Sequence, residues 1–194
     1  EQLRRYDSFI DNKTVNHAAL GIEILFNDGL IELFDIDKQY YSLIKTAVFN
    51  HNKYEIEPDL DNHTYLHCQI IRDGDKIDIF NTGLLESFEA FLDVSQNVLE
   101  NDMISDDIFE TFMQQQTILS INRKTDLDRW GYFLALVFGL NFTYSFEYVS
   151  KYSFLEKLIR RLDYKNLDSK MKMEQIESCC KYFLKDKGDK RDGT

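Results

Sequence analysis

Three carboxylates crowd one short stretch, Ile70-Ile71-Arg72-Asp73-Gly74-Asp75-Lys76-Ile77-Asp78-Ile79, inside a segment whose aliphatic residues predict a buried helix. At about 100° per residue, Ile70, Ile71, Gly74 and Ile77 share one side of that helix; Asp78 falls within it, Asp75 on its flank and Asp73 on its opposite edge. On this wheel Arg72 and Lys76 point elsewhere, toward solvent. A carboxylate turned toward a core is costly unless it is paired, hydrogen-bonded or bound to a cation. Two histidines fall on apolar stripes of other helices: His17 with Leu20, Gly21 and Ile24, and His51 with Ile44, Ala47 and Val48. Imidazoles and carboxylates gathered from helices far apart in sequence are the ingredients of a divalent-metal site. His63 and His67, spaced i and i+4 on the side of Ile71 and Asp75, also have ligand spacing but read more simply as a partly buried helix face.

These side chains need helices to position them, and the composition supplies helices. With one proline, few glycines and many long aliphatic and aromatic residues, the chain reads as all-α. Residues 14 to 27 predict an amphipathic helix with Thr14 as N-cap and Asn27-Asp28-Gly29 as stop, and a second helix follows over 37 to 50. The acid-rich helix covers 62 to 80 and ends at Asn81-Thr82-Gly83; further helices are expected over 84 to 99 and 106 to 121. From Asp128 to Leu162 the chain is apolar and aromatic, which predicts two helices broken near Gly139 to Phe142, with the Trp130 to Phe146 aromatics as core rather than a base-stacking platform. A last helix spans 171 to 186. The expected organisation is one helical domain over 1–186, with the motifs in residues 1–80 and a helical C-terminal region over 81–186, followed by a flexible polar tail over 187–194.

Composition also excludes some functions. A net charge of -11 argues against a surface that tracks a nucleic-acid polymer, and it is compatible with a small anionic substrate held by a local cation. No apolar run is long enough to cross a bilayer and no signal-peptide pattern opens the chain, so no membrane partner is expected. Cys68 and the adjacent Cys179 and Cys180 form neither a disulfide framework nor a zinc spacing, which predicts a reduced, cytoplasmic setting with Cys179 and Cys180 as buried small residues.

The segments Val15-Asn16-His17-Ala18-Ala19-Leu20-Gly21, Phe49-Asn50-His51-Asn52-Lys53 and Ile71-Arg72-Asp73-Gly74-Asp75-Lys76-Ile77-Asp78 resemble, in order and spacing, successive motifs of the HD-domain metal-dependent phosphohydrolases. The likeness is strongest over residues 1 to 80, and the Trp130 to Phe146 stretch is similar to the helical C-terminal region of bacterial members. The resemblance implies an HD-domain-like helical bundle with additional C-terminal helices that binds one or two divalent metal ions (Mn, Fe, Mg, Zn or Ni). It implies a hydrolase that cleaves a nucleotide or another small phosphate ester with metal-activated water. Asp75 matches the family's distant Asp, and is expected to be a metal ligand and catalytic; His17 and His51 match its additional metal-binding histidines. Asp78 is expected to support a ligand, and Arg72 and Lys76 to offer charge to substrate phosphate. The family's hallmark His-Asp doublet does not occur in residues 1–194, and no histidine precedes His17. Glu1 to Tyr6 is similar to the helix that follows the doublet in relatives, so the doublet is expected upstream. The alternative is a degenerate HD domain that binds a nucleotide or protein partner without catalysis.

Overall fold

The computed structural model describes residues 2–7 and 14–189, and every regular element among them is helical. No described helix is long and apolar enough to cross a membrane. The chain groups into two compact units, residues 1–72 and 73–194, each with its own buried apolar residues.

The first unit contains α1 (Gln2–Tyr6), α2 (His17–Ile22), a π-helical turn (Glu23–Asn27), two short 3-10 turns, α3 (Tyr41–Asn50) and the first half of α4 (Asn62–Leu85). Its buried apolar side chains are Ala18, Leu20, Ile31, Ala47 and Cys68. Asn16, not Thr14, caps α2, accepting the Ala19 amide at 3.1 Å. The Thr14 hydroxyl is instead an acceptor for the Gln2 side-chain amide at 2.9 Å. The expected stop holds: Gly29 takes φ 80, a left-handed backbone that glycine adopts without a Cβ clash.

The second unit holds the rest of α4, then α5 (Phe88–Leu92), α6 (Gln96–Asn101), α7 (Asp106–Met113), α8 (Asp126–Ala135), α9 (Thr143–Lys151), α10 (Phe154–Ile159) and α11 (Leu167–Asp189). α11 packs along α9, α7 and α10, and one apolar cluster runs from Phe80 through Trp130, Leu134 and Leu155 to Ile176 and Cys180. Of the Trp130 to Phe146 aromatics, Trp130, Tyr132, Phe133, Phe138 and Phe146 join the core while Tyr144 is exposed, and the break near Gly139 to Phe142 is present as a 3-10 turn followed by the start of α9. Cys179 and Cys180 are buried, as expected, and burial pushes both thiols up.

Several boundaries differ from the periodicity. The helix expected over 84–99 is two, because Asp93 turns left-handed at φ 57 and Ser87 and Ser95 each cap a new start. α7 ends at Met113, where Gln115 is also left-handed at φ 58. Gly83 does not end α4: a Cβ there would come within 3.1 Å of Leu158 Cδ2, and its carbonyl accepts from Arg161, so this glycine serves close packing inside the helix. α11 extends past the expected end to Asp189, taking in the first three residues of the polar tail; residues 190–194 lie outside the described residues.

Candidate functional site

In the first unit, α2 and α3 pack on each other and bring His17 and His51 together. His17 is the first residue of α2 and His51 the C-cap of α3, and their Nε2 atoms lie 3.0 Å apart with the rings at 65°. The His51 Nδ1 is 2.6 Å from the Val48 carbonyl oxygen. A carbonyl only accepts, so Nδ1 carries the proton and the Nε2 of a neutral His51 presents a lone pair toward His17. The end of α3 is held in place around this pair. Buried Asn50 donates to Thr46 O at 2.9 Å and accepts from the Glu57 amide at 2.9 Å, and Asn52 donates to Asn16 at 3.3 Å.

Two imidazole nitrogens bound cis to one divalent ion at about 2.1 Å stand roughly 3 Å apart. The 3.0 Å separation of the histidine pair fits that bite, and the Val48 carbonyl supplies the outer hydrogen bond that orients a ligating imidazole. The fit extends to two side chains. Among the described residues no group of three or more His, Cys, Asp or Glu is arranged to hold a metal ion. His63 and His67 also meet edge to face, with centroids 4.8 Å apart, on the first half of α4.

The acid-rich helix forms as expected, but its faces are exchanged. Ile70 is half exposed, Gly74 and Asp78 are exposed, and the buried arc carries Cys68, Arg72, Asp73, Lys76 and Phe80. The expectation that Arg72 and Lys76 face solvent, that Asp73 is peripheral and that Asp78 lies among buried isoleucines is therefore corrected. Long charged side chains cover apolar surface with their stems, so hydropathy alone places them on the wrong side of a wheel.

Each buried charge has work within its own unit. The Arg72 guanidinium donates to the carbonyls of Asn50 at 2.9 Å, Lys53 at 2.5 Å and Tyr54 at 3.0 Å, collecting the orphan acceptors beyond α3. Arg72→Met, which keeps the stem and removes the donors, is expected to destabilise the first unit by about 2 kcal/mol. Faster amide hydrogen exchange across α3 would report it, and unchanged exchange would contradict it. In the second unit, Asp73 accepts from the backbone amides of Asn141 and Phe142 ahead of α9. Lys76 lays its stem over Gly139, where a Cβ would meet Lys76 Cε at 2.9 Å.

Asp75 is half-buried and faces a different environment. Its charge adds to burial in raising the Tyr132 phenol above its ordinary range, while Arg123, stacked on that ring at 4.8 Å, offsets part of the rise. Sequence reasoning missed Asp128, which is fully buried and takes part in a capping box with Thr125. The signal was present as Thr125-Asp126-Leu127-Asp128, the Thr-x-x-Asp pattern that opens a helix. It also missed two arginines of the second unit, Arg123 and Arg129, which no motif marks.

Compared with protein-family models, with curated proteins and with solved structures, the chain matches none.

Proposed function

We propose that this chain belongs to a metal-dependent phosphohydrolase of HD type, acting on a nucleotide or another small phosphate ester. The observation that supports the reading is the meeting of His17 Nε2 and His51 Nε2 at 3.0 Å, with Nδ1 of His51 tied to a carbonyl. In this reading His17 and His51 bind a divalent ion, completed by the His-Asp pair characteristic of the family, which residues 1–194 do not contain. When bound, such an ion supplies Lewis acidity and a water deprotonated near neutral pH. The chain's own contribution is to hold the two imidazole Nε2 atoms 3.0 Å apart and to keep His51 in the Nδ1–H tautomer. Asp78 is exposed and would act only through water or a ligand's outer edge. Arg72 already donates to three carbonyls, which favours a structural role for it over contact with substrate.

A second reading, a degenerate HD domain that binds a nucleotide without turnover, is favoured by the absence of a three-member ligand group among the described residues. Metal content and hydrolysis separate the two. The expected result is that a divalent metal copurifies or titrates in, and that His17→Ala and His51→Ala each weaken it at least about tenfold. Asp75→Ala, at the position that matches the acidic motif, is expected to abolish hydrolysis in a screen of nucleotides and generic phosphate esters. Metal bound without hydrolysis in any metal form would leave the second reading standing. Metal content unaffected by either histidine substitution would overturn the first reading, and failure of nucleotides to bind would overturn the second.

A further inference from the structure

In the second unit a cavity of about 760 Å³ opens between α6 and the segment from Ser120 to Arg129. Arg123, Lys124 and Arg129 line it, a concentration of positive charge in a chain whose net charge is -11. The acids of the same wall are already engaged. Asp102 accepts the amides of Met103 at 2.8 Å and Leu127 at 3.0 Å, and Asp126 pairs with Arg129 at 3.3 Å. Lys124 is held by Asp107.

Arg123 is different. Its Nε donates to the Ser120 carbonyl at 2.8 Å and its guanidinium stacks on Tyr132, but no carboxylate among the described residues pairs with it. Partial burial lowers its proton affinity; the Tyr132 phenol beside it works the other way, and the neighbouring positive charge of Arg129 adds a smaller lowering. Two guanidinium groups within each other's field, one of them half-buried without a counter-ion, are an arrangement that a doubly charged oxyanion relieves. Guanidinium forks match phosphate oxygens two at a time, which a chloride ion cannot exploit. The opposite wall offers uncharged polar groups, the side-chain amides of Asn97 and Asn101. The cavity is large enough for the rest of a small molecule beside its phosphate.

We propose that the second unit carries an oxyanion site centred on Arg123 and Arg129 that takes the phosphate or diphosphate group of a small phosphorylated molecule. The site does not rest on the histidine pair or on the proposed hydrolysis. Inorganic phosphate and pyrophosphate are the probes, tested on the whole chain by calorimetry and by thermal unfolding against sodium chloride at equal ionic strength.

Pyrophosphate is expected to bind and to raise the melting temperature beyond the chloride control, with phosphate weaker. Arg123→Gln is expected to weaken pyrophosphate at least about tenfold, and Arg123→Lys to restore some of the loss because it returns charge without the fork. His17→Ala is expected to leave this binding unchanged, which keeps the test separate from that of the metal site. No binding beyond the chloride control, or wild-type binding by Arg123→Gln, would overturn the proposal. Should Arg123→Gln fail to fold, Arg123→Lys decides alone: several-fold weaker pyrophosphate binding supports the site, and equal binding refutes it.

Discussion

Asp128→Ala is expected to lower the unfolding free energy of the second unit by about 4 kcal/mol, the largest loss we assign to any single side chain. Asp128 is fully buried, and its carboxylate accepts the Ser105 amide at 2.8 Å, the Ser105 hydroxyl at 3.0 Å, the Lys124 amide at 2.8 Å and the Thr125 amide at 3.2 Å. One group thereby ties the start of α7 to the start of α8. Removing it leaves buried amides without an acceptor, and each such orphan costs on the order of 1–3 kcal/mol. The conservative Asp128→Asn keeps one acceptor oxygen and turns an NH2 toward donors, so it recovers little. Thr125→Ala is the milder comparison: it removes a hydroxyl that accepts the Asp128 amide at 3.0 Å and donates to the Met103 carbonyl at 2.8 Å, and should cost about 1 kcal/mol. Urea unfolding followed by the fluorescence of Trp130, the single tryptophan and buried in the same unit, reads all three. A loss for Asp128→Ala no larger than that for Thr125→Ala would contradict the argument.

Asp73→Ala is expected to cost about 3 kcal/mol in the same measurement. The Asp73 carboxylate, 3% exposed, accepts the Asn141 amide at 2.9 and 3.0 Å, the Asn141 side-chain amide at 2.8 Å and the Phe142 amide at 3.1 Å. Phe142 is the N-cap of α9 and has no side-chain oxygen with which to cap it. Asp73, from another helix, accepts the two amides just ahead of α9, and its negative charge is favourable beside the positive end of the α9 dipole. Asp78→Ala, five residues along the same helix and exposed, should change stability by less than about 0.5 kcal/mol. Equal effects at the two positions would mean that the α9 clamp contributes nothing. Because the carboxylate of Asp73 is engaged this way, a loss of activity in Asp73 variants would report unfolding rather than chemistry.

The two aspartates show where sequence reading succeeds and where it stops. Local signals were legible: the all-helical class, the turn at Gly29, the break after Gly139 and, in principle, the Thr125 to Asp128 capping box all depend on residues within one or two helical turns. His17 and His51 meet because α2 and α3 pack on each other, with Gly21 beside Val48, but His17 itself is exposed rather than turned into the core as its stripe suggests. The expected single helix over 84–99 was wrong at Asp93, since periodicity carries no information about one residue entering a left-handed conformation.

The acid-rich helix marks the limit. Sequence by itself determined that residues 70 to 79 are helical and that their charges need partners. Tertiary structure alone decided which ones are buried: Arg72, Asp73 and Lys76, with Asp78 outside and Asp75 between. The reason is energetic. A buried charge is tolerated only where donors or acceptors converge on it, and for Arg72 and Asp73 those are carbonyls 18 to 22 residues away and amides 68 to 69 residues away. No local hydrophobic pattern encodes partners at such separations, so the helix was readable and its orientation was not.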